Sequence, residues 1–425
     1  MSMWYGELPE RWEAHKLKTL VNDINSKANP EDGFYIGMEN ISSWSARFIE
    51  TGLKTDGDGK EFKKGDILFG KLRPYLAKVY MPSKDGICSG EFLVFRGYKG
   101  NLSFLKYQLL TYEFIMFVNA STYGAKMPRA NWQFIGNCVM PLPPRDEQDQ
   151  IVRYLDWKVS RINKLINIKR RQIELFDEQK QGAINHVVTN EKRITTRIGH
   201  LYTSILGKML ATQPNSKQDS YEKYLCAKDV HFDGIDITST KEMWFSPDEK
   251  RQYKVKNGDL LVVEGGAGAG GSYIFNFDVK ESYYVQNSIQ IIRSKGQSTN
   301  QFLYYYLFSL VKQGYIDYIC EKATIPHFTK ERLLNTPVPV INRSEQEKII
   351  TYLDQQCKRI DRIVFNLNNE IALFTEYRTR LISDVVTGKL DVRGVIVPEY
   401  EAVEESASDG DEAANGDAGE NSDDV

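Results

Sequence analysis

The sequence predicts an α/β (α+β) fold in which two similar globular domains are joined by two long antiparallel coiled-coil helices. A duplicated segment, a heptad pattern within each copy and a strand-rich region before each copy predict this fold. The stretch 146–188 recurs at 344–386, displaced by 198 residues without a gap. A constant offset over such a length indicates duplication, so the chain is expected to carry an internal pseudo-twofold repeat.

The two copies of the repeat are predicted to be long helices. Tyr154-Leu155-Asp156 in the first copy matches Tyr352-Leu353-Asp354 in the second. Apolar residues alternate by three and four in both copies, and a period of about 3.5 residues is typical of a coiled-coil seam. Ser344 and Glu347 have the spacing of a capping box, and Gly388 suits a helix end. Lys169, Lys180 and Arg378 fall on the seam, where long side chains are expected to reach past it to solvent.

The region 1–145 is predicted to be a mixed domain. A short helix is expected at 12–21 and an amphipathic helix at 101–118. Strands are expected at 34–36, 65–69, 77–80 and 91–95.

The region 193–343 repeats this plan with looser similarity. Gly258-Asp259-Leu260-Leu261 matches Gly65-Asp66-Ile67-Leu68, and a helix is expected at 299–312. The connecting stretches 69–75 and 264–273 differ in chemistry, and the second of them is rich in glycine. A shared framework with divergent loops predicts two domains that perform one task on different targets. The predicted boundaries of the parts are 1–145, 146–192, 193–343, 344–390 and 391–425.

The order domain, helix, domain, helix has a geometric consequence. A domain of about 150 residues has a radius of gyration near ~15 Å, so it is much shorter than either helix. The second helix must therefore run back along the first to bury its seam. We expect an antiparallel pair with one domain near each end, which is the shape of a spacer that holds two similar domains apart.

Charge is unevenly distributed along the chain. The formal net charge is −2, but residues 399–425 contain eleven acidic residues and no Lys or Arg. The remainder carries 55 basic and 46 acidic residues, a charge of +9, which is compatible with a polyanionic partner. The acidic tail is expected to be disordered. No apolar run is long enough for a membrane span, no secretory signal is visible, and five scattered cysteines favour a reducing cytoplasm.

The entry to each long helix carries the features of a known family. A Pro-x-Pro stretch followed by Glu-Gln-x-x-Ile occurs at 141–151 and again at 337–349. Together with Tyr-Leu-Asp, the Gly-Asp strands and the ending at 386–393, it resembles the specificity subunits of Type I restriction–modification systems. The resemblance extends over about residues 8–398, while the acidic tail departs from it.

The resemblance implies a non-catalytic subunit with two target recognition domains. Each domain would read one half of a bipartite duplex DNA site, and the helix pair would set the gap. Two methyltransferase subunits would dock on the helical region and methylate adenine N6 with S-adenosylmethionine. A restriction subunit would add ATP- and Mg-dependent translocation and cleavage. No cofactor is expected on this chain itself.

Two other functional classes remain open. The first is a self-contained DNA methyltransferase or nuclease, although no Asn/Asp-Pro-Pro-aromatic motif is present. The glycine-rich loop at 265–271 follows a strand, but it lacks the lysine of a phosphate-binding loop. The second class is a coiled-coil adaptor between proteins. Five histidines without metal-ligand spacing make a metal site improbable.

Candidate DNA-binding residues are basic, aromatic and amide side chains near the divergent loops. Basic side chains hold phosphates, and amides pair with adenine. Glu91 is either a cytosine reader or an ordinary strand residue. The candidates are Lys71, Arg73, Tyr75, Lys78, Ser89, Lys126, Arg129 and Asn131 in the first domain, and Ser272, Tyr273, Gln286, Asn287, His327 and Lys330 in the second.

Overall fold

The computed structural model describes residues 4–29, 33–51, 59–124, 126–189, 193–266, 268–278, 280–320 and 326–405. These residues form two compact units. The first combines the two ends of the chain, residues 1–172 and 366–425, and the second consists of residues 173–365. Both long helices contribute to both units, because each is divided near its middle.

The first unit contains a mixed domain with two four-stranded sheets. Its strands are β1 (Glu13–Lys16), β2 (Asn22–Asp23), β3 (Lys27–Ala28), β4 (Tyr35–Ile36), β5 (Gly59–Phe62), β6 (Ile67–Gly70), β7 (Val79–Tyr80), β8 (Gly86–Ser89), β9 (Phe92–Arg96) and β10 (Val139–Leu142). Its helices are α1 (Leu17–Leu20), α2 (Leu102–Leu109), α3 (Tyr112–Asn119), α4 (Trp132–Ile135) and the long α5 (Arg145–Val188). The sheet orders are β2-β9-β6-β7 and β3-β5-β8-β4, and β1 pairs with β10.

The second unit repeats the first sheet. Its strands are β11 (Thr195–Arg197), β12 (Tyr202–Leu206), β13 (Ser220–Leu225), β14 (Val230–His231), β15 (Gly234–Ile235), β16 (Lys241–Phe245), β17 (Leu260–Val263), β18 (Ser272–Ile274), β19 (Tyr284–Val285), β20 (Ile289–Ser294) and β21 (Pro337–Pro339). Its helices are α6 (Ile198–Leu201), α7 (Pro247–Tyr253), α8 (Asn300–Lys312), α9 (Tyr315–Cys320), α10 (Lys330–Asn335) and the long α11 (Arg343–Val386). The order β12-β20-β17-β18 is the counterpart of β2-β9-β6-β7.

The two long helices run antiparallel within the first unit. Lys169 of α5 forms an ion pair with Glu370 of α11 at 2.5 Å. Six residues earlier on α5, Asn163 accepts a hydrogen bond from Arg378, eight residues later on α11. The sequence numbers of the partners thus change in opposite directions. The expectation that basic seam residues reach solvent is wrong for Arg378, which is only 8% exposed. Lys169 stays partly exposed, and it pairs with a carboxylate of the other helix that is itself about half exposed.

The same direction holds within the second unit. Lys180 of α5 forms an ion pair with Asp361 of α11 at 2.7 Å. Beyond the end of α5, Arg193 donates to the carbonyl of Val187 and to the carboxylate of Glu345, near the start of α11. The predicted α+β class with two long antiparallel helices is therefore confirmed. Each helix has 44 residues, or ~66 Å at ~1.5 Å per residue.

In the first unit, the repeated motif fastens the domain to its helix. The amide of buried Gln148 accepts from the backbone N–H of Asn101 and donates to the carbonyl of Pro143, both at 2.9 Å. About two turns further on along α5, Asp156 accepts the hydroxyl hydrogen bond of Tyr107 at 2.6 Å. These bonds satisfy buried polar groups at the junction, so they fix the domain on α5.

The second unit has the equivalent fastening, displaced by 198 residues. Gln346 accepts from the N–H of Thr299 at 2.9 Å and donates to the carbonyl of Ile341 at 2.8 Å. Tyr305 donates its hydroxyl hydrogen bond to Asp354 at 2.5 Å. The Glu-Gln and Tyr-Leu-Asp motifs therefore have a structural role that accounts for their repetition.

Several local predictions need correction. Residues 12–21 form strand β1 followed by the single turn α1, rather than one helix. The helix predicted at 101–118 is divided into α2 and α3, because buried Thr111 turns its hydroxyl back to the carbonyl of Gln108. Helix α11 begins at Arg343, where Asn342 rather than Ser344 caps the N–H of Glu345. Gly388 adopts a φ of 78° and ends the helix as predicted.

The chain end beyond α11 is also partly ordered. Residues 399–405, which belong to the tail predicted to be disordered, contact α5 in the first unit. The prediction is therefore wrong for these residues, and 406–425 lie outside the described part of the chain.

Candidate nucleic-acid interface

Three segments of the first domain meet beyond the end of β6. The N–H of Arg73 donates to the carbonyl of Pro128 at 2.8 Å, and the N–H of Ala130 donates to the carbonyl of Lys71 at 2.9 Å. Lys71 in turn donates its N–H to the carbonyl of Glu91 at 2.9 Å. The loop after β6, the segment before α4 and the turn before β9 are thereby held side by side.

The second domain builds the same junction from different residues. The N–H of Gly266 donates to the carbonyl of Pro326 at 3.1 Å, and the N–H of Phe328 donates to the carbonyl of Glu264 at 2.6 Å. Glu264 donates its own N–H to Ser288 at 2.8 Å. Every hydrogen bond of the first junction thus has a counterpart. We call these two junctions the first and the second loop cluster.

The glycine-rich loop of the second cluster has a conformational explanation. Gly266 and Gly270 have φ angles of 89° and 84°, in the left-handed region that glycine adopts without steric cost. Arg73 and Ala77, the corresponding residues of the first domain, are also left-handed, each with a φ of 48°. The two loops therefore have one backbone form. The glycines serve this turn, which argues against a phosphate-binding loop for a cofactor.

Left-handed residues other than glycine are concentrated in the first loop cluster and its surroundings. Besides Arg73 and Ala77, Trp44 and Ala46 have φ angles of 63° and 54°. The N–H of Trp44 reaches the carbonyl of Ala77, so the four residues occupy two touching loops. Such a backbone costs about 1–2 kcal/mol per residue, and strained residues cluster at functional sites.

Most of the residues predicted in the first domain lie at or beside this cluster. Lys126 and Asn131 are exposed, and Tyr75 is 40% exposed. Asn131 also caps α4 by accepting from the N–H of Phe134. Ser89 accepts a weaker hydrogen bond, at 3.3 Å, from the N–H of Glu91.

Arg129 and Glu91 form an ion pair at the centre of the first loop cluster. The guanidinium lies 3.0 Å from the carboxylate, and hydrogen bonding to Glu91 raises the pKa of Arg129. Both side chains are about one-third exposed, so the pair faces solvent. The pair therefore offers both a hydrogen-bond donor and an acceptor at the surface, and Glu91 lies in the turn just before β9 rather than within the strand.

The predicted contact by Lys78 conflicts with the structure. This side chain is only 5% exposed, and its ammonium donates to the carbonyl of Met38 at 2.7 Å. Ala77 turns the chain inward just before it. Because the Lys78 ammonium is buried, it is not available to a phosphate, and we interpret this side chain as a support for the loop.

In the second domain, four of the six predicted residues lie at or beside the second loop cluster, namely Gln286, Asn287, His327 and Lys330. Asn287, His327 and Lys330 are exposed. Gln286 is partly exposed and accepts from the hydroxyl of Ser288 at 2.7 Å. Tyr273 packs edge-on against an aromatic ring of α8.

Ser272 does not fit the predicted role. Its side chain is fully buried in β18, so direct contact with DNA is not supported. Sequence reasoning also missed Glu264, which occupies the place of Lys71. Burial raises the pKa of its carboxyl, whereas nearby His327 lowers it. Aligning the strands Gly65–Phe69 and Gly258–Val262, at an offset of 193, would have revealed this correspondence.

Neither a metal centre nor a membrane span is found in the described ranges. Among these residues, no three His, Cys, Asp or Glu side chains are grouped so that they could hold a metal ion. No helix in the described part of the chain has the length and apolar character needed to cross a membrane.

The comparison with protein families identifies the recognition domain. The type I restriction modification DNA specificity domain matches twice, at residues 9–175 and 155–373. The chain belongs to this family. The domain recognises DNA sequence and is non-catalytic, which confirms both the expected family and the expected class of function.

Individual relatives agree with this assignment. The MjaVIII specificity subunit of Methanocaldococcus jannaschii is 23% identical and matches over 91% of this chain and 95% of its own length. The EcoDI specificity subunit of Escherichia coli is 25% identical, with 35% of each chain covered. A chain solved in a study of complex assembly and conformational transition of the type I R-M system aligns with a TM-score of 0.70. That alignment has 19% identity and covers 91% of this chain and all of the other, so it supports the fold.

Proposed function

We propose that this chain recognises a bipartite duplex DNA site, with each loop cluster reading one half. The observation that carries the proposal is the doubled junction, in which the same backbone hydrogen bonds present different side chains. The first cluster offers Lys71, Arg73 and Arg129, whereas the second offers Glu264 and His327. Because donors and acceptors differ between the clusters, the two halves of the site should differ in sequence.

The test is duplex selection by the full chain assembled with its methyltransferase partners. Selection from random duplexes should yield two specific halves separated by an unspecific gap. Replacing residues 1–145 by a different recognition domain should change one half and leave the other intact. Changes in both halves, or recovery of a single continuous site, would contradict one reader per half.

We further propose that the helix pair sets the gap between the halves. Each helix is ~66 Å long at ~1.5 Å per residue, and the pairing is antiparallel within each unit. Inserting one heptad into both helices keeps the seam in phase and lengthens the pair by about 10 Å. The selected gap should then increase. An unchanged gap with both halves preserved would rule out the spacer role.

Repeated exposed side chains support the helices as a docking surface for two methyltransferase subunits. Leu175 is 48% exposed and its counterpart Leu373, 198 residues later, is 65% exposed. Large apolar residues exposed at equivalent positions are typical of interaction sites. Leu175→Arg and Leu373→Arg should each remove one methyltransferase subunit, and together both. Light-scattering mass measures this, and exposed Lys164→Ala is the control.

The chemistry is proposed to reside in these partners. S-adenosylmethionine would be held by the methyltransferase subunits, and ATP with Mg by restriction subunits, in the cytoplasm. The isolated chain given S-adenosylmethionine and duplex DNA should therefore transfer no methyl group. Methyl transfer without a partner would favour the self-contained enzyme, and binding without sequence preference would favour the protein adaptor.

A further inference from the structure

The chain end after α11 is anchored in the core of the first unit. Val392 is 2% exposed and packs with apolar residues of α5 and α11. The side-chain amide of Gln150 donates to the carbonyls of Val392 and Val395, at 3.0 and 2.7 Å. This anchor places the following acidic residues beside α5.

Residues 399–405, which we call the acidic strap, then follow α5 in an extended form. Ser160 donates to the carbonyl of Glu401 at 3.0 Å and accepts from the N–H of Val403 at 2.8 Å. Asn163 donates to the carbonyl of Val403 at 3.2 Å. Further along, Asn167 donates to the carbonyl of Glu404 at 2.8 Å. Polar side chains along one face of α5 thus bind the strap through its backbone.

The strap ends with a carboxylate between two arginines. Glu405 forms an ion pair with Arg170 of α5 at 2.6 Å and another with Arg378 of α11. Arg378 and the Glu405 side chain are 8% and 13% exposed. Two guanidinium groups this close repel each other unless an anion lies between them. The position is therefore suited to a negatively charged group.

The strap lies in a groove next to the loop 44–47, which touches the loop after β6. The groove is lined by Trp44 and Arg47 of the loop whose Trp44 N–H contacts Ala77, and by Lys106 of α2. Glu404 lies near enough to Lys106 to counteract part of the lowering of its pKa by burial. The strap thus places carboxylates beside cations that border the candidate DNA surface.

We propose that the acidic strap is an intrachain competitor of DNA, occupying an anion-binding groove that takes backbone phosphates once the strap is displaced. The inference rests on the proposed function, because it assumes that duplex DNA lies against the first loop cluster. Phosphate and carboxylate are both oxyanions that pair with guanidinium groups in a forked geometry. Duplex binding and strap binding should therefore exclude each other at Arg170 and Arg378.

The first test compares two double variants of the full chain that remove equal charge. Glu404→Gln with Glu405→Gln weakens the strap at the arginines. Glu399→Gln with Glu401→Gln is the control, since Glu399 is exposed and Glu401 binds Ser160 through its backbone carbonyl. The variant with Glu404→Gln and Glu405→Gln should bind random-sequence duplex roughly tenfold more tightly at 50 mM salt. Its slope of log affinity against log salt concentration should be steeper by up to about two, because each phosphate contact adds ~0.9. Equal affinities of both pairs would overturn the competition.

Hydrogen exchange in the unmodified chain provides a second readout that does not depend on substitution. The amide of Val403, which donates to Ser160, should be protected in the free chain and exchange faster with duplex DNA bound. Continued protection in the bound state would overturn the inference. A chain that binds a bipartite site while retaining the strap contradicts this inference alone. A chain that releases the strap to any duplex without sequence preference contradicts the proposed function alone.

Discussion

The two recognition domains share their internal supports and differ where they meet solvent. Asp66 and Asp259 show the first half of this comparison. Asp66 caps the N–H of Lys63 and binds Arg96, and Asp259 likewise binds Arg293. The loop clusters show the second half, because identical backbone bonds carry side chains of opposite charge at Lys71 and Glu264. The residues that support the loops are thus shared by the two copies, whereas the side chains that the loops expose differ.

The largest expected effect tests whether the shared supports are equivalent. Asp66→Ala and Asp259→Ala each remove a carboxylate that is 2% or 4% exposed and leave an arginine without its carboxylate partner, although Arg293 still donates to the carbonyl of Lys254. We expect each to lower the free energy of unfolding by about 3 kcal/mol, because breaking a buried ion pair leaves its partner uncompensated. Urea unfolding measures this, with exposed Asp278→Ala as the control. Markedly unequal costs would break the equivalence of the two supports.

The next effect separates the shape of a loop from its chemistry. Arg73→Gly removes the guanidinium but supplies the residue that the second domain has at this left-handed position. Stability should be kept or slightly raised. Discrimination in one half-site should fall by about 1–3 kcal/mol, the usual value of a good base contact. Selection on random duplexes measures both halves, and loss of preference in both would argue against separate readers.

The shared tyrosine fastenings give a pH dependence. Burial, with Asp156 as a further cause, raises the pKa of Tyr107 well above its ordinary value, and burial with hydrogen bonding to Asp354 does the same for Tyr305. The folded chain therefore holds these protons when the unfolded chain has released them. Stability should be full below pH ~10 and fall as pH rises above it.

Tyrosine-to-phenylalanine variants measure this contribution. Tyr107→Phe and Tyr305→Phe should lower stability at pH 7 by about 1–2 kcal/mol each, since each loses a hydrogen bond to a charged group. Both should flatten the decline above pH 10. Thermal melting between pH 7 and 11 follows the change, and a decline as steep as in the unmodified chain would exclude these two residues as its source.

The smallest effect concerns exposed cations of the two clusters. Lys126→Ala and Lys330→Ala should weaken binding to all duplexes alike. Each should reduce the slope of log affinity against log salt concentration by ~0.9. Salt titrations of binding to cognate and random duplexes measure this. A change confined to the cognate duplex would instead assign the lysine to base recognition.

The 198-residue offset predicted most of the framework because helices and their fastenings repeat in sequence. It located Gln148 and Gln346 at the helix entries, although their bonding to backbone groups emerged only in three dimensions. The division between α2 and α3 escaped prediction because the apolar pattern continues across Thr111, whose hydroxyl bond competes locally with the helix. The strap has no apolar periodicity, so composition alone favoured disorder.

The candidate interface was harder to predict than the framework. Basic residues mark a polyanion-binding region, but the pattern does not indicate which lysines turn inward. Lys78 follows left-handed Ala77, and its ammonium is buried where it donates to the carbonyl of Met38. Glu264 was overlooked because an acid was not expected opposite Lys71, and the alignment that pairs them uses an offset of 193 rather than 198. Local insertions thus conceal equivalent positions in the loops.

The first unit is assembled from both ends of the chain, which has a consequence for synthesis on the ribosome. Residues 173–365 are contiguous and can complete their core while the C-terminus is still being made. The core around Trp12 and Leu155 also needs Leu381 and Val392, which emerge only after the whole second unit. A nascent chain stalled before residue 366 should therefore have a protease-resistant second unit beside an unfinished first one, so the order of maturation reverses the order of translation.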